Sequence, residues 1–283
     1  MEQLPVTLVR VTAAERITPR MLRVTFGGLG PDALPGHWPD QQVKLCFPRA
    51  GQAEPRLPAA DPDGDVMRWY QAFLAIPEDD RPWMRSFTIR ARRPALGELD
   101  IDFVLHGDAG PAGRWATTAA PGDTLGMVGP SALYARPPAT TGRLLLAGDE
   151  SALPALGTLL EALPAGAAAT AFVEVADPAE EQHLATRAEL TVHWLHRDGA
   201  APGHGTALVD AVRAAELPGL GAAWLAGESG TVRALRRHLL RERGLDRRSV
   251  EFAGYWRLSL TQDDAPTAED LAEAQERLAD AQG

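Results

Sequence analysis

The hydrophobic pattern of the chain changes period once, at RPPATTG, residues 136–142. Before it the apolar residues fall in short runs of alternating character, TLVRVTAAERITPRMLRVTF, QVKLCFP, MRSFTIRAR, ELDIDFVLHG and GDTLGMVGP, each bounded by Gly, Pro or Asp. Alternation of this kind is the mark of half-buried strands. In LDIDFVLH it places Leu99, Ile101, Phe103 and Leu105 on one face and Asp100, Asp102, Val104 and His106 on the other. The segment GQAEPRLPAADPDGD reads as a surface loop. So many short strands close most naturally as an antiparallel barrel. After the change, RLLLAG, AATAFVEVA, LTVHWLH, AAWLAG and SVEFAGYW alternate with the helical patterns ALPALGTLLEAL, AEEQHL, ALVDAVRAA and TVRALRRHLLRERG. Strands separated by helices require parallel crossovers, hence a doubly wound sheet. The expected fold is an N-terminal antiparallel β-barrel over 1–138, a parallel α/β domain over 139–257, and an acidic C-terminal helical tail over 258–283. In that tail Thr267 is a candidate cap, and Leu271 and Leu278 stand one heptad apart.

A length of 283 residues suits two domains of ordinary size. The formal charge of −10 argues against a nucleic-acid partner, whose phosphates call for clustered cations. No run approaches the roughly 18 apolar residues of a membrane span. The start MEQLPVTLVRV lacks a basic stretch followed by a long apolar one, so the cytoplasm is the expected compartment. A single cysteine, Cys46, excludes an intrachain disulfide and a Cys-ligated iron–sulfur or zinc centre within the chain. Redox chemistry, if present, must ride on an organic cofactor. His193 and His196 in HWLH are three apart on a strand, on opposite faces, which argues against a shared metal ion.

RSFTIR, residues 85–90, is either a plain half-buried strand or a binding strand that offers Arg85 to a phosphate and Thr88 to a flat heterocycle. HGDAGPAGRWA is either an ordinary Gly/Pro turn or a strand-to-helix junction that opens backbone N–H groups, near Gly113, to a pyrophosphate. LLLAGDESALPA occupies the first strand-to-helix turn of the second domain without a G-x-G-x-x-G pattern. Asp149 and Glu150 there would repel a phosphate or cap the helix themselves. Glu174, about 25 residues further on, stands where an acidic ligand of a ribose 2′-hydroxyl would fall, and equally well reads as one solvated acid. The basic 233–243 stretch is a solvated helix face or an attraction for an acidic electron carrier.

Taken in order, QVKLCFP, RSFTIR, DFVLHGDAGPAGRWA, GDESALPA, FVEVAD, WLHR and GYWR resemble the siderophore-interacting protein family over roughly residues 5–257. RSFTIR itself resembles the R-x-[YF]-[ST] flavin signature of ferredoxin-reductase-like flavoproteins. The resemblance implies FAD as cofactor and NADH or NADPH as donor, with ferredoxin as a possible replacement, and a ferric siderophore as substrate. It implies FAD contacts from Arg85 to the pyrophosphate, from Ser86 and Phe87, from Thr88 near flavin N5, from the backbones of Val104 and His106, and from Gly113, Arg114, Trp115 and Ala116. Phe87 departs from the usual Tyr, which keeps the packing and loses a phenolic hydrogen bond. Asp149, Glu150, Ser151 and Glu174 are the implied nicotinamide-side residues, with Glu174 favouring NADH. Trp256 is placed by the flavin as a catalytic residue beside Thr88, and Arg257 by the open cleft. Lys44, the sole lysine among 28 basic residues, is the candidate dock for an anionic ferric siderophore. Two other functions fit the same residues: a general flavin or ferredoxin-type reductase, and a non-enzymatic flavoprotein that carries siderophores.

Overall fold

The computed structural model of the chain describes residues 6–30, 38–61, 63–105, 110–130 and 142–258. His106 and all but the first residue of the expected tail helix lie outside the described residues.

The first half forms β1 (Val6–Thr18), β2 (Met21–Gly27), β3 (Gln42–Phe47), α1 (Val66–Leu74), β4 (Trp83–Thr88), β5 (Ala91–Arg93), β6 (Glu98–Val104), α2 (Pro111–Thr118) and β7 (Thr124–Val128). All seven strands pair antiparallel in the order β4-β3-β7-β1-β2-β6-β5. Spread flat, the outer strands would stand ~29 Å apart at the usual strand spacing. Yet β4 and β5 are joined by Ile89 and Arg90 alone, a step that reaches only ~10 Å. The sheet therefore curls until its edges meet. Ile89 N–H donates to Gln41 O and Arg90 N–H to Asp100 O, each at 2.8 Å.

Leu99, Ile101, Phe103 and Leu105 enter the barrel core with Val24, Phe26, Leu45 and Leu125, as the alternation of β6 requires. On its outer face Asp102 takes a two-point ion pair from Arg23 at 2.7 and 2.8 Å, and Asp100 one from Arg93. The helix α1 was not legible in the sequence, which reads there as the end of a loop. Asp65 caps it by accepting from Met67 and Arg68 N–H, and its Trp69 and Phe73 cover Cys46 on the outside of β3. Burial pushes the Cys46 thiol up to about 12, too high for a reactive thiolate.

The second half forms β8 (Arg143–Asp149), α3 (Leu153–Ala162), β9 (Ala168–Val175), β10 (Glu189–His196), α4 (Ala207–Ala214), β11 (Leu220–Glu228), α5 (Ser229–Arg241) and β12 (Val250–Trp256). These strands pair parallel in the order β10-β9-β8-β11-β12, with helices over both faces. The direction of winding reverses between β8 and β11, and the crevice at their carboxyl ends is the switch point of a doubly wound sheet. One expectation fails: AEEQHL makes a single 3-10 turn, Pro178–Glu180, rather than a helix. Tertiary contacts outcompete helix formation there. Glu180 turns inward to accept from Thr18 Oγ1 at 2.5 Å, and Gln182 reaches Met21 Sδ at 3.2 Å, so the connection between β9 and β10 ties the barrel to the second domain. The basic stretch of α5 is also less solvated than its composition implies: Arg236 lies over Phe252, and His238 is buried between Glu242 and Arg243.

Candidate functional site

Strand β4 carries the first group of candidate residues at the rim of the barrel. Residues 85 and 87 share one face and 86 and 88 the other. Phe87 packs 4.6 Å from Phe103 and 6.1 Å from Phe47, ring centre to ring centre. Trp115 of α2 packs at 5.5 Å against the same two rings, edge-on to Phe47 and tilted to Phe103. This aromatic cluster seats α2 on β6 and β3. The first turn of α2 follows Gly110 at φ +92°, carries Pro111 at its start and has no side-chain cap. A Cβ at Gly110 would meet nothing within 4 Å. Arg85, half-buried on β4, donates from Nη1 to Met84 O at 2.9 Å and carries its guanidinium fork on the face it shares with Phe87. This donor set suits a pyrophosphate flanked by a flat ring system. Residues 113–116 lie within this helix.

The opposite face of β4 meets the second domain. Thr88 is buried, and its hydroxyl lies within hydrogen-bonding reach of the Asp40 carboxyl and the Tyr255 phenol. Asp40 stands at φ +55° just before β3. Its Oδ1 accepts from Tyr255 Oη at 2.9 Å and Gln42 Nε2 at 3.3 Å, and its Oδ2 from Trp224 Nε1 at 3.3 Å. Its own N–H donates to Thr158 Oγ1 of α3 at 2.9 Å. Burial pushes the Asp40 carboxyl above its usual range against the pull of these donors, and burial followed by the Asp40 charge pushes the Tyr255 phenol well up. Arg90 adds a further bridge, to Glu161 at 2.7 Å across the open side of Gly157. Val104 packs into the second domain's core, with Met21 and Ile17 beside it. Further along β3, Lys44 is exposed at one end and donates to Ser86 Oγ at 3.2 Å. Its neighbours crowd it enough for burial to lower its pKa.

At the switch point the crevice is filled from within. Asp149 Oδ1 accepts from Ser151 N–H at 2.9 Å and from the Ser151 hydroxyl, and Oδ2 accepts from Glu228 N–H at 2.8 Å and Trp256 Nε1 at 2.9 Å. Asp149 is thus a cap of its own helix turn, one of the two roles open to it from the sequence. Burial pushes its carboxyl up. Gly227, at φ +131°, leaves room for it: a Cβ there would fall 2.5 Å from Asp149 Oδ2. Gly227→Ala is expected to cost about 1–3 kcal/mol from strain and overlap, read as a lower denaturant midpoint. Beside this cap Arg197, 5 % exposed, makes a two-point ion pair with Glu150 and lies 3.6 Å from Glu174. Burial raises the Glu174 carboxyl, Arg197 opposes that, and Asp149 and Glu150 add to it.

The expected residues thus fall into two groups. Arg85, Ser86, Phe87 and Thr88 lie on β4 and residues 113–116 on α2, both within the barrel domain, while Asp149, Glu150, Ser151, Glu174 and Trp256 gather at the switch point. On β12 it is Tyr255, not Trp256, that meets Thr88; Trp256 turns to Asp149, and half-buried Arg257 follows it. His193 stacks on Phe172 at 4.4 Å, and His196 pairs with Glu181 at 2.8 Å. Among the described residues no cluster of three or more His, Cys, Asp or Glu side chains is arranged to hold a metal ion, and no helix is long and apolar enough to cross a membrane. Sequence reasoning missed Asp40, Tyr255, Trp224 and Arg197. Asp40 sits in a Pro-Asp pair that reads as a simple turn, and Arg197 is one arginine among many.

An antiparallel barrel followed by a doubly wound parallel sheet, together with a match to a FAD-binding domain, makes this chain a flavoprotein. Residues 10–134 match the siderophore-interacting FAD-binding domain and residues 141–259 the siderophore-interacting protein domain. The chain belongs to the siderophore-interacting protein family. It is 31% identical over 247 residues to the ferric vibriobactin reductase ViuB of Vibrio cholerae, with 85% of each chain covered. It is 33% identical over 255 residues to the NADPH-dependent ferric-chelate reductase of Escherichia coli, covering 88% of this chain and 91% of that one. The crystal structure of a siderophore utilization protein from T. fusca superposes with a TM-score of 0.79 at 41% identity, over 93% of this chain and 97% of the other.

Proposed function

We propose that the protein reduces the iron of ferric siderophores through bound FAD, releasing Fe(II), with a nicotinamide dinucleotide as electron donor. The observation that supports this reading is the match of residues 10–134 to a siderophore-interacting FAD-binding domain, in which Arg85 is half-buried on β4 and α2 starts without a side-chain cap. FAD, when bound, supplies the conversion of a two-electron donation into the single-electron steps that iron requires. The chain's own residues do the rest. Arg85 and the N–H groups of the α2 first turn hold the pyrophosphate, Phe87 covers the ring edge, and the Thr88 hydroxyl holds or accepts a proton at N5. Iron leaves as Fe(II) because the lower charge weakens its hold on hard oxygen ligands. The lone buried thiol of Cys46 suits a reducing compartment, and we place the protein in the cytoplasm. Anaerobic mixing of the FAD-loaded protein with NADH or NADPH, followed by a ferric siderophore and a ferrous trap, tests the reading.

Two refinements concern the partners. Glu174 favours NADH if it meets a ribose 2′-hydroxyl, since a carboxylate repels a 2′-phosphate. The side chain of Asp149 occupies the place where a dinucleotide pyrophosphate would sit, which favours a second reading in which reduced ferredoxin is the donor. Bleaching of the flavin by ferredoxin but by neither nicotinamide, even at millimolar concentration, would select that second reading. Lys44 draws in anionic chelates by charge. Lys44→Glu is expected to raise KM for an anionic ferric siderophore, most at low salt, with a smaller change for a neutral or cationic chelate. An equal change for all of them would remove Lys44 from the docking surface.

A further inference from the structure

The carboxyl of Asp40 is an unusual group to find in a joint between domains. Five elements meet around it: β3 gives Gln42, β4 Thr88, β11 Trp224, β12 Tyr255 and α3 Thr158. Of these only Tyr255 titrates, and burial with the Asp40 charge holds its phenol protonated. Of the charged groups around these elements, Arg90 and Glu161 pair with each other one helical turn along α3 from Thr158, and Arg92 donates to Gln41 beside Asp40 at 3.2 Å. A joint needs acceptors here, not a charge. Asparagine would tolerate the same positive φ at no cost of burying an ion, but its amide nitrogen could not accept from Trp224 Nε1 in the place of Oδ2. The chain instead keeps a carboxyl that is half-buried, held at a positive φ and in reach of the Thr88 hydroxyl. Such retained cost is the usual sign of a working group.

We propose that Asp40, acting through the Thr88 hydroxyl, takes up the proton that leaves the flavin as iron is reduced. The inference rests on the FAD reading given above. For every two ferric ions reduced, two electrons and one proton leave the bound flavin. Thr88 Oγ1 accepts that proton from N5 while its own hydroxyl proton passes to a carboxylate oxygen of Asp40, so one carboxylate becomes one carboxylic acid and Thr88 ends unchanged. The raised proton affinity of Asp40 suits it to receive the proton. The donors from Tyr255, Trp224 and Gln42 stabilise the anion to which it returns. Gln42 pairs with Thr88 and Lys44 with Ser86 across β3 and β4, so a polar strip runs from Asp40 to the exposed Lys44 and gives the proton a way out. Asp40 is a positioning residue and proton store, while Thr88 touches the cofactor.

The test uses the FAD-loaded protein, reduced chemically and mixed with excess ferric siderophore in a stopped-flow instrument over a range of pH, in H2O and D2O. Asp40→Asn and Thr88→Val should each slow flavin reoxidation by about tenfold or more. Both should lose the pH-dependent limb and the solvent isotope effect of the unaltered protein, and the double variant should be no slower than either single one. Tyr255→Phe, which removes only one donor from the anion, should keep the limb and move it to higher pH. A second readout needs no flavin. Because the folded-state pKa of Asp40 is raised, the unaltered protein should lose stability relative to Asp40→Asn as pH rises from the ordinary carboxylate range through that pKa, then stay level above it. Unchanged reoxidation in Asp40→Asn, multiplied effects in the double variant, or stability curves that run parallel at every pH would each overturn the proposal. If the unaltered protein binds no FAD, it is the FAD reading that fails.

Discussion

Arg197→Ala is expected to lower the stability of the protein by about 3–5 kcal/mol, the usual effect of removing one partner from a buried ion pair. Arg197 is the guanidinium that meets Glu150 at two points and stands 3.6 Å from Glu174. The side chains of all three are 10 % exposed or less. Without Arg197, the charges of Asp149 and Glu150 would act on Glu174 unopposed. In a domain of this size the loss corresponds to a melting temperature lower by about 6–20 °C. The sign with pH also follows. Removing the cation raises the Glu174 pKa further, so the variant should recover part of its stability as pH falls and the carboxyls protonate. A melting temperature within two degrees or so of the unaltered protein, by calorimetry at neutral pH, would show that the cluster is solvated in solution.

Arg85→Ala should weaken FAD binding roughly tenfold to hundredfold, since a hydrogen bond to a charged group contributes about 1.5–3 kcal/mol. Arg85→Lys keeps the charge and loses the planar fork, so it should fall between the two. Thr88→Val, by contrast, should leave FAD affinity nearly intact, because Thr88 serves the ring nitrogen and not the phosphates. Titration of the flavin-free protein by flavin fluorescence separates these outcomes. Equal FAD affinity in the Arg85→Ala variant and the unaltered protein would remove Arg85 from the phosphate site.

Much of the fold was legible because period alone carries it. Residues 99–105 alternate as they point in and out of the barrel, and the strands after residue 142 are separated by long crossovers because parallel pairing demands them, helical in every case but β9 to β10. The helix α1 was not legible, since its nine residues follow a loop rich in Pro and Asp and declare themselves only through the Asp65 cap. The helix expected in AEEQHL failed for the opposite reason: its local pattern was helical, but Glu180 and Gln182 are drawn to the barrel. The candidate site divides in the same way. RSFTIR is a contiguous signature, and its Phe87 packs with Trp115 on the ring of Phe103. Asp40 and Tyr255 stand 215 residues apart in sequence, and nothing local announces that their side chains meet at 2.9 Å.

The central claim is that electrons pass through FAD in this chain to the iron of a ferric siderophore. The most direct measurement is anaerobic: the FAD-loaded protein is reduced and mixed with a ferric siderophore in the presence of a ferrous chelator, while the flavin absorbance and the Fe(II) complex are followed together. The account predicts that the yellow oxidised spectrum returns as Fe(II) forms, with about two ferrous ions for each flavin reoxidised. Chemically reduced, FAD-loaded protein that yields no Fe(II) from any class of siderophore would contradict it and leave a flavoprotein that binds siderophores without reducing them.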